Sequence, residues 1–381
     1  MIWKITDNKK WNYLSENFDW VADMQQTEQD RNFHGEGNVA EHTKMVLTCL
    51  EGMPDFQFLD EQSKEILWTA AFMHDIEKRS TSVIDEDGHI SSPGHARKGE
   101  YTVREILFRD IPAPFSVREQ IAGLVRYHGL PVWLMERPDA QKKLFEVAER
   151  VNTKLLKILS EADISGRICS DKEQLMEQVA FFEMYCKEQG CWGKAKDFAT
   201  PHARFHYFNS EDAYPDYVPH EKFGSNVVLL SGLPGMGKDH LLKSRYPDWA
   251  VISLDDIRRK HKLSPTDSSA TGWVVQQAKE QARIHLRKGE PFIWNATNIT
   301  RLMRKQLIDL FCTYNAFVKI IYIEKPYKIW VEQNRNREFP LPEQVLNKML
   351  HKLEIPQIWE AQEVEYLILF PQHIANGTFT P

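Results

Sequence analysis

The sequence predicts two domains in series, an all-α one over residues 1–188 and an α/β one with a parallel sheet over 223–381, joined by an aromatic-rich connector at 189–222. Three observations carry this. The 381 residues suffice for two separate cores. In the first half, a series of His and Asp residues lies in or beside segments with helical apolar spacing. In the second, short β-branched runs alternate with helical segments, the pattern of a parallel sheet covered by helices.

Composition narrows the class. Hydrophobic residues at 42% and charged residues at 27% fit an ordinary soluble globular protein. The stretch from Met1 to Phe18 has no apolar core of signal-peptide length, and no later run approaches the ~18 apolar residues of a membrane span. A cytoplasmic chain with no membrane partner is expected. The five cysteines, Cys49, Cys169, Cys186, Cys191 and Cys312, form no C-x-x-C pair, so reduced thiols without a metal role are expected. The net charge of −6 is uneven: residues 1–220 carry 26 Lys/Arg against 37 Asp/Glu, and residues 221–381 carry 22 against 17. The acidic half suits bound cations and the basic half a polyanionic substrate.

In the first half, Val39, Thr43, Val46 and Leu47 place His42 near the start of an amphipathic helix. The apolar run from Ile66 ends in adjacent His74 and Asp75, ionisable neighbours that need partners if buried. His95, His128 and Asp163 follow, each in or beside a helical pattern. This ordered set resembles the H…HD…D signature of the HD phosphohydrolase superfamily, over roughly residues 20–170. The resemblance implies one metal site from His42, His74, Asp75 and Asp163, and a second from His95 and His128 with Asp75 bridging. Imidazoles and carboxylates suit Mn, Fe, Co, Ni or Zn, one ion or two. Lys78 stands where the superfamily often has the Lys of HDxGK, with Glu77 in place of the Gly. Lys78 and Arg79 either neutralise a substrate phosphate or form a solvated charge run. The stretch H-x-E-G-x-V-x-x-H, from His34 to His42, is similar to the HD domains of bacterial tRNA nucleotidyltransferases. That similarity implies action on 2′,3′-cyclic and terminal phosphates, with His34 in substrate binding or proton transfer. As a bare residue, His34 is equally a loop histidine before a helix cap.

The second half opens on Asn226 to Leu242, NVVLLSGLPGMGKDHLL, which reads as strand, Gly-rich turn and helix. The spacing G-x-x-x-x-G-K from Gly232 to Lys238 is that of a P-loop, whose backbone N–H groups and helix N-terminus hold phosphate oxygens. Gly232, Pro234, Gly235, Gly237, Lys238, Asp239 and His240 are the candidate nucleotide-binding residues, for ATP or another NTP. Asp239 replaces the usual Ser/Thr, and its carboxylate is a candidate ligand for Mg²⁺ or Mn²⁺. Further strands are expected at Ala250–Leu254, Phe292–Ala296 and Phe317–Ile323, with ligands at their carboxyl ends. Asp255 follows the first of these, and a helix from Lys328 delivers Arg335 and Arg337. Asp256 reads as a helix-cap or first-turn residue. Arg301, Arg304 and Lys305 read as a solvated helix face or as nucleic-acid contacts, and Trp273 and Phe339 as packing or base-stacking rings.

A P-loop, then D-D-x-R, then a strand leading to T-N, then an arginine lid resembles polynucleotide 5′-kinases. The resemblance implies Asp255 as general base, Arg258 on the phosphate next to the terminal nucleoside, and Arg335 and Arg337 as the lid. Asn295 stands where many relatives have Asp. The two halves together resemble the bacterial HD-domain polynucleotide kinases (HD-Pnk), bifunctional enzymes that heal nucleic-acid ends. Implied are a 5′-hydroxyl kinase, removal of 2′,3′-cyclic, 2′- or 3′-phosphates, RNA or DNA ends as partners and a separate ligase downstream. Two other readings stand beside it: a nucleotide phosphohydrolase fused to a small-molecule kinase, and an ATP-gated regulator of the helical half. Oligomeric state is not legible.

Overall fold

The computed structural model describes residues 2–264, 268–337 and 340–369. The chain divides into two compact units, Met1–Asp197 and Phe198–Pro381. The connector read at 189–222 is shared between them. Its first residues hold to the N-terminal unit, where Thr153 Oγ1 donates to the Cys191 carbonyl (2.7 Å) and accepts from the Gly193 N–H (2.7 Å). Its later part forms the helix Pro201–Asn209, whose Arg204 and Asn209 donate to the carbonyls of Ile358 and Trp359 in the C-terminal unit.

The N-terminal unit is built of helices, with one short antiparallel hairpin, β1 (Val83–Ile84) and β2 (Ile90–Ser91). At its centre is the helix Glu61–Met73, buried continuously from Glu65 to Met73. A helix apolar all round must be enclosed, and the helices Val39–Gly52, Phe115–Tyr127 and Thr153–Ser165 enclose it. Full burial of side chains such as Leu67 and Phe72 contributes about 2 kcal/mol each. Asn38, Asp60 and Asn152 start three of these helices by accepting backbone N–H groups that have no partner within the first turn. Gly166 answers a close approach: a Cβ there would lie 2.7 Å from the Val46 backbone nitrogen. The end of Thr153–Ser165 therefore lies directly on Val39–Gly52, which sets Asp163 beside His42.

The C-terminal unit carries a five-stranded parallel sheet in the order β4-β5-β3-β6-β7. The strands are β3 (Ser225–Ser231), β4 (Ala250–Ser253), β5 (Phe292–Asn295), β6 (Ala316–Glu324) and β7 (Glu363–Ile368). Central β3 pairs with β5 through Val227↔Phe292 and with β6 through Val227↔Val318. The chain leaves β3 in one direction for β4 and β5 and returns past it to β6 and β7, so the carboxyl end of β3 is the switch point where ligands bind in such sheets. Four strands fall where the sequence reading puts them. The fifth, β7, lies in the C-terminal stretch that the motifs leave unread. Its acids are answered by Lys319 on neighbouring β6, 2.7 Å from Glu363 and 2.9 Å from Glu365, and Glu365 also by Arg245 at the end of the helix Lys238–Arg245 (2.6 Å).

Arg304 corrects both sequence readings given to it. It is neither solvated nor open to nucleic acid but fully buried, with Nε and Nη2 on the two oxygens of Glu360 (2.6 and 2.9 Å) and Nη1 on the carbonyls of Asn298 and Glu354. Leaving Glu360 buried and unpaired costs roughly 3–5 kcal/mol. Arg304→Ala is therefore expected to lower the melting temperature of the C-terminal unit by roughly 10 °C in a thermal scan. The double change Arg304→Met, Glu360→Leu is expected to recover most of that loss, because it removes both charges. Lys305 does lie on the surface, paired with Asp309. Asp256 sits in the first turn of Leu254–Lys260, which Ser253 caps.

No helix among the described residues is long and apolar enough to cross a membrane. All five cysteines are free thiols.

Candidate active sites

In the N-terminal unit the six residues of the H…HD…D set come together. His42 lies in the first turns of Val39–Gly52, and His74 and Asp75 follow the central helix. His95 opens the helix His95–Arg109, His128 ends Phe115–Tyr127, and Asp163 lies in Thr153–Ser165. His42 Nε2 is 3.3 Å from His74 Nε2 and 3.0 Å from Asp163 Oδ1. His95 Nε2 is 3.4 Å from His128 Nε2. Asp75 lies between these groups, with Oδ2 3.1 Å from His74 Nε2 and Oδ1 3.4 Å from His95 Nε2.

The tautomers are set from behind. Nδ1 of His74, His95 and His128 faces the carbonyls of Ala71, Ser92 and Val125 at 2.7–2.8 Å, so each donates from Nδ1 and keeps its Nε2 lone pair for the centre. His42 Nδ1 is backed by Glu36 Oε1 at 2.8 Å. Lone pairs converging at 3.3–3.4 Å repel unless a cation lies between them. Two ligands on one ion with bonds near 2.1 Å stand about 3.0–3.4 Å apart. Asp75 Oδ1 is buried with no hydrogen-bond partner, which a cation would satisfy. The donor set thus fits divalent metal in two groups, His42–His74–Asp163 and Asp75–His95–His128.

Charge follows the same plan. Burial works against ionised Asp75, but His74 and Lys78 hold it well below the usual carboxylate range; Arg167 and His42 do the same for Asp163. Burial pushes His34 down to about 4 and His128 to about 3, and lowers His95. His74 goes the other way, because Asp75 and Asp163 outweigh its burial.

A cavity of about 250 Å³ opens over the cluster, lined by His34, Lys78 and Arg167 among others. Lys78 Nζ reaches Asp75 Oδ2 (2.8 Å) and Gln29 Oε1 (2.6 Å), which places it at the centre rather than in a solvated run. Arg79 turns away to Asp23 and Glu77 and lines a separate cavity. Glu77 is buried against Thr102, Lys98 and Ser80, so it ties this turn to the helix His95–Arg109. His34 Nδ1 donates to Glu36 Oε1 (2.9 Å), and Glu36 Oε2 accepts from the Ile168 N–H (2.9 Å). Sequence reasoning assigned no role to Glu36, Gln29 or Arg167. The spacing of Arg167, four residues after Asp163, was the available signal for the last.

In the C-terminal unit, Gly232 follows β3 at φ 144°, and a Cβ there would lie 2.5 Å from the Ile323 carbonyl. Gly235 and Gly237 also take positive φ, 81° and 99°. Just before Gly235 the loop is pinned where the Pro234 carbonyl accepts from Trp330 Nε1 (2.7 Å). Lys238 opens the next helix and donates to the carbonyls of Gly232 and Leu233 (both 2.9 Å). Burial lowers it to about 8, against the pull of Asp239 and Asp255. His240, two residues after Lys238, is exposed. Asn295, at the end of β5, donates to Asp239 Oδ1 (2.8 Å), so one carboxylate and one amide meet beside the P-loop. The Asp239 carboxylate fits a hard cation such as Mg²⁺, whereas Asn295 turns its amide N–H toward it.

Asp255, with its side chain 79% exposed, and Arg258 lie on the helix Leu254–Lys260 and form an ion pair at 3.1 Å. Both line a cavity of about 330 Å³ together with Lys279, Trp294 and Asn295. The helix carrying the lid is Tyr327–Arg335. Arg337, just beyond it, lies against Gly235, whereas Arg335 is exposed on its last turn. Lys325, at the end of β6, was not singled out in the sequence, yet it is buried with Nζ beside Gly237 and Gln333. Trp273 is half exposed and packs edge-on against His261, and Phe339 lies outside the described residues.

Comparison with known proteins agrees with this division. Residues 39–166 match the family model described as HD domain, and residues 227–356 match that described as AAA domain. Among solved structures, the chain is similar to a protein from Chloroflexus aurantiacus j-10-fl assigned provisionally as a kinase (16% identity, 42% of this chain and 100% of that one, TM-score 0.34). It is also similar to a sugar kinase from Janibacter sp. HTCC2649 (16%, 38% and 85%, 0.29) and a gluconokinase from Sinorhizobium meliloti 1021 (15%, 39% and 84%, 0.28). Likenesses at these scores carry no argument about substrate. The chain joins an N-terminal HD domain of the phosphohydrolase type to a C-terminal P-loop domain of the kinase type.

Proposed function

We propose that the protein heals nucleic-acid ends, phosphorylating a 5′-hydroxyl at one site and removing 2′,3′-cyclic, 2′- or 3′-phosphates at the other. The observation that carries the nucleic-acid reading is the Asp255–Arg258 pair on the wall of a cavity that also takes in Asn295, the hydrogen-bond partner of Asp239 next to the P-loop lysine. A general base there needs only an acceptor hydroxyl. A guanidinium three residues away, on the same helix face, fits an acceptor with its own phosphate next to that hydroxyl.

In the C-terminal unit, Asp255 accepts the proton of the 5′-hydroxyl and Arg258 holds the adjoining phosphate. Lys238 leaves its loop carbonyls for the donor phosphates, and Arg337 meets the charge that develops during transfer. Asp239 would hold Mg²⁺ or Mn²⁺. In the N-terminal unit, His42, His74, Asp75, Asp163, His95 and His128 would hold the metal. Bound metal there lowers the pKa of coordinated water and withdraws charge from phosphate. Lys78 and Arg167 neutralise the entering phosphate. His34, held at Nδ1 by Glu36, presents its unprotonated Nε2 to the cavity, where it accepts a proton from the attacking water.

The test is acceptor length. Phosphate transfer from ATP to adenosine, adenosine 3′-phosphate and a short 5′-hydroxyl oligonucleotide is compared at equal concentration. Transfer is expected to rise at least about tenfold from the first acceptor to the second, the worth of one charge-assisted contact. Equal rates, or preference for a sugar acceptor, favour the small-molecule reading instead.

A further inference from the structure

At the mouth of the N-terminal cavity stand two aromatic rings that the phosphate chemistry does not use. Phe33 and Trp133 both line it, and each is 55% exposed. Neither ring packs on another aromatic ring, unlike the clustered Trp11, Phe18, Trp20, Trp68 and Phe72 of the same unit. Two large apolar side chains exposed at one cavity rim offer an apolar contact surface to whatever enters it.

Both are held in ordered backbone. The turn carrying Phe33 is fixed by Asp30, whose carbonyl accepts from the N–H groups of Phe33 (3.1 Å) and His34 (2.8 Å). The same aspartate accepts through its side chain from the N–H groups of Asn32 and Ile90, which ties the turn to the hairpin. Trp133 ends the short helix Leu130–Trp133, five residues after His128, and a second short helix begins at Leu134. Each ring is thus placed within a few residues of the centre's own side chains, His34 and His128. Inside the rim the cavity presents the cations Lys78 and Arg167.

We propose that Phe33 and Trp133 clamp the base of the nucleotide whose phosphate enters this centre. A phosphate drawn inward by Lys78 and Arg167 leaves the sugar and base at the mouth, where flat apolar rings give a stacking surface for any base. The site then selects phosphoesters that carry a nucleobase, and does so without regard to which base. This rests on the reading of the N-terminal unit as an end phosphatase.

The test uses two RNA oligonucleotides with a 3′-phosphate, one ending in 2-aminopurine and one in a base-free tetrahydrofuran unit. Wild type is expected to quench the 2-aminopurine on binding and to prefer the base-bearing end in kcat/KM, mainly through KM. Phe33→Leu and Trp133→Leu are each expected to lose the quench and to reduce that preference roughly tenfold, while Phe33→Tyr restores it. An unmoved preference in both leucine variants, or a quench that persists in them, overturns the clamp. Equal action of wild type on both ends overturns it too, while leaving the phosphatase reading intact. If wild type removes phosphate from neither end, the phosphatase reading fails and the clamp with it.

Discussion

Asp75→Ala is expected to abolish phosphate removal by the N-terminal unit and to leave phosphate transfer by the C-terminal unit unchanged. Among the described residues, Asp75 is the side chain whose two oxygens face the two groups of donors, Oδ2 toward His74 and Oδ1 toward His95. Its removal takes a ligand from the His95–His128 group and, from the other, the charge that faces His74, leaving four imidazole lone pairs without a bridging carboxylate. Loss of a mere supporting partner of a metal ligand costs 10- to 100-fold, so loss of this carboxylate is expected to cost at least about a hundredfold. Metal content by mass spectrometry after gel filtration separates the causes. It is expected to fall with activity in Asp75→Ala but to persist in Lys78→Ala, which lacks only the cation that meets the phosphate. Retained metal with lost activity in Asp75→Ala would make the aspartate a substrate-positioning group instead.

The second large effect is the reciprocal one. Lys238→Ala is expected to lower phosphate transfer about a thousandfold, the scale of a cation that meets phosphoryl charge in the transition state, with phosphate removal intact. Lys238 is half-buried at the head of its helix, where its ammonium donates to two loop carbonyls. Its ammonium is therefore available to a donor that offers phosphate oxygens in exchange. Lys325, with Nζ beside Gly237, is a cation of the same loop that could compensate. Lys238→Ala with Lys325→Ala is expected to fall below the single variant. If either Asp75→Ala or Lys238→Ala removed both activities from a folded chain, two independent sites would be untenable.

Much of this was legible in the sequence because both centres are written as local spacing. Helical apolar periodicity gave the position of His42, the H…HD…D order gave the donor set, and the strand before Gly232 gave the P-loop its context. What stayed hidden depends on contacts distant along the chain. Glu36 orients His42 and His34 from a loop, and Gln29 meets Lys78 across 49 residues. Arg304 looked like one cation of a basic helix face, and only the approach of Glu360, 56 residues later, makes it a buried strut. β7 was masked by its acids, whose cost vanishes only when Lys319 and Arg245 lie beside them. Phe33 and Trp133 carry no motif at all. Their meaning is their place at a rim.

The most direct measurement of the central claim uses one RNA oligonucleotide bearing a 5′-hydroxyl and a 3′-phosphate. It is incubated with the full chain, ATP, Mg²⁺ and Mn²⁺, and the mass of each end is read after nuclease cleavage. Gain of phosphate at the 5′ end and its loss at the 3′ end are predicted, each abolished by its own variant, Lys238→Ala or Asp75→Ala. An oligonucleotide unchanged at both ends, with folded and metal-loaded protein, would contradict end healing and leave the two domains to small-molecule substrates.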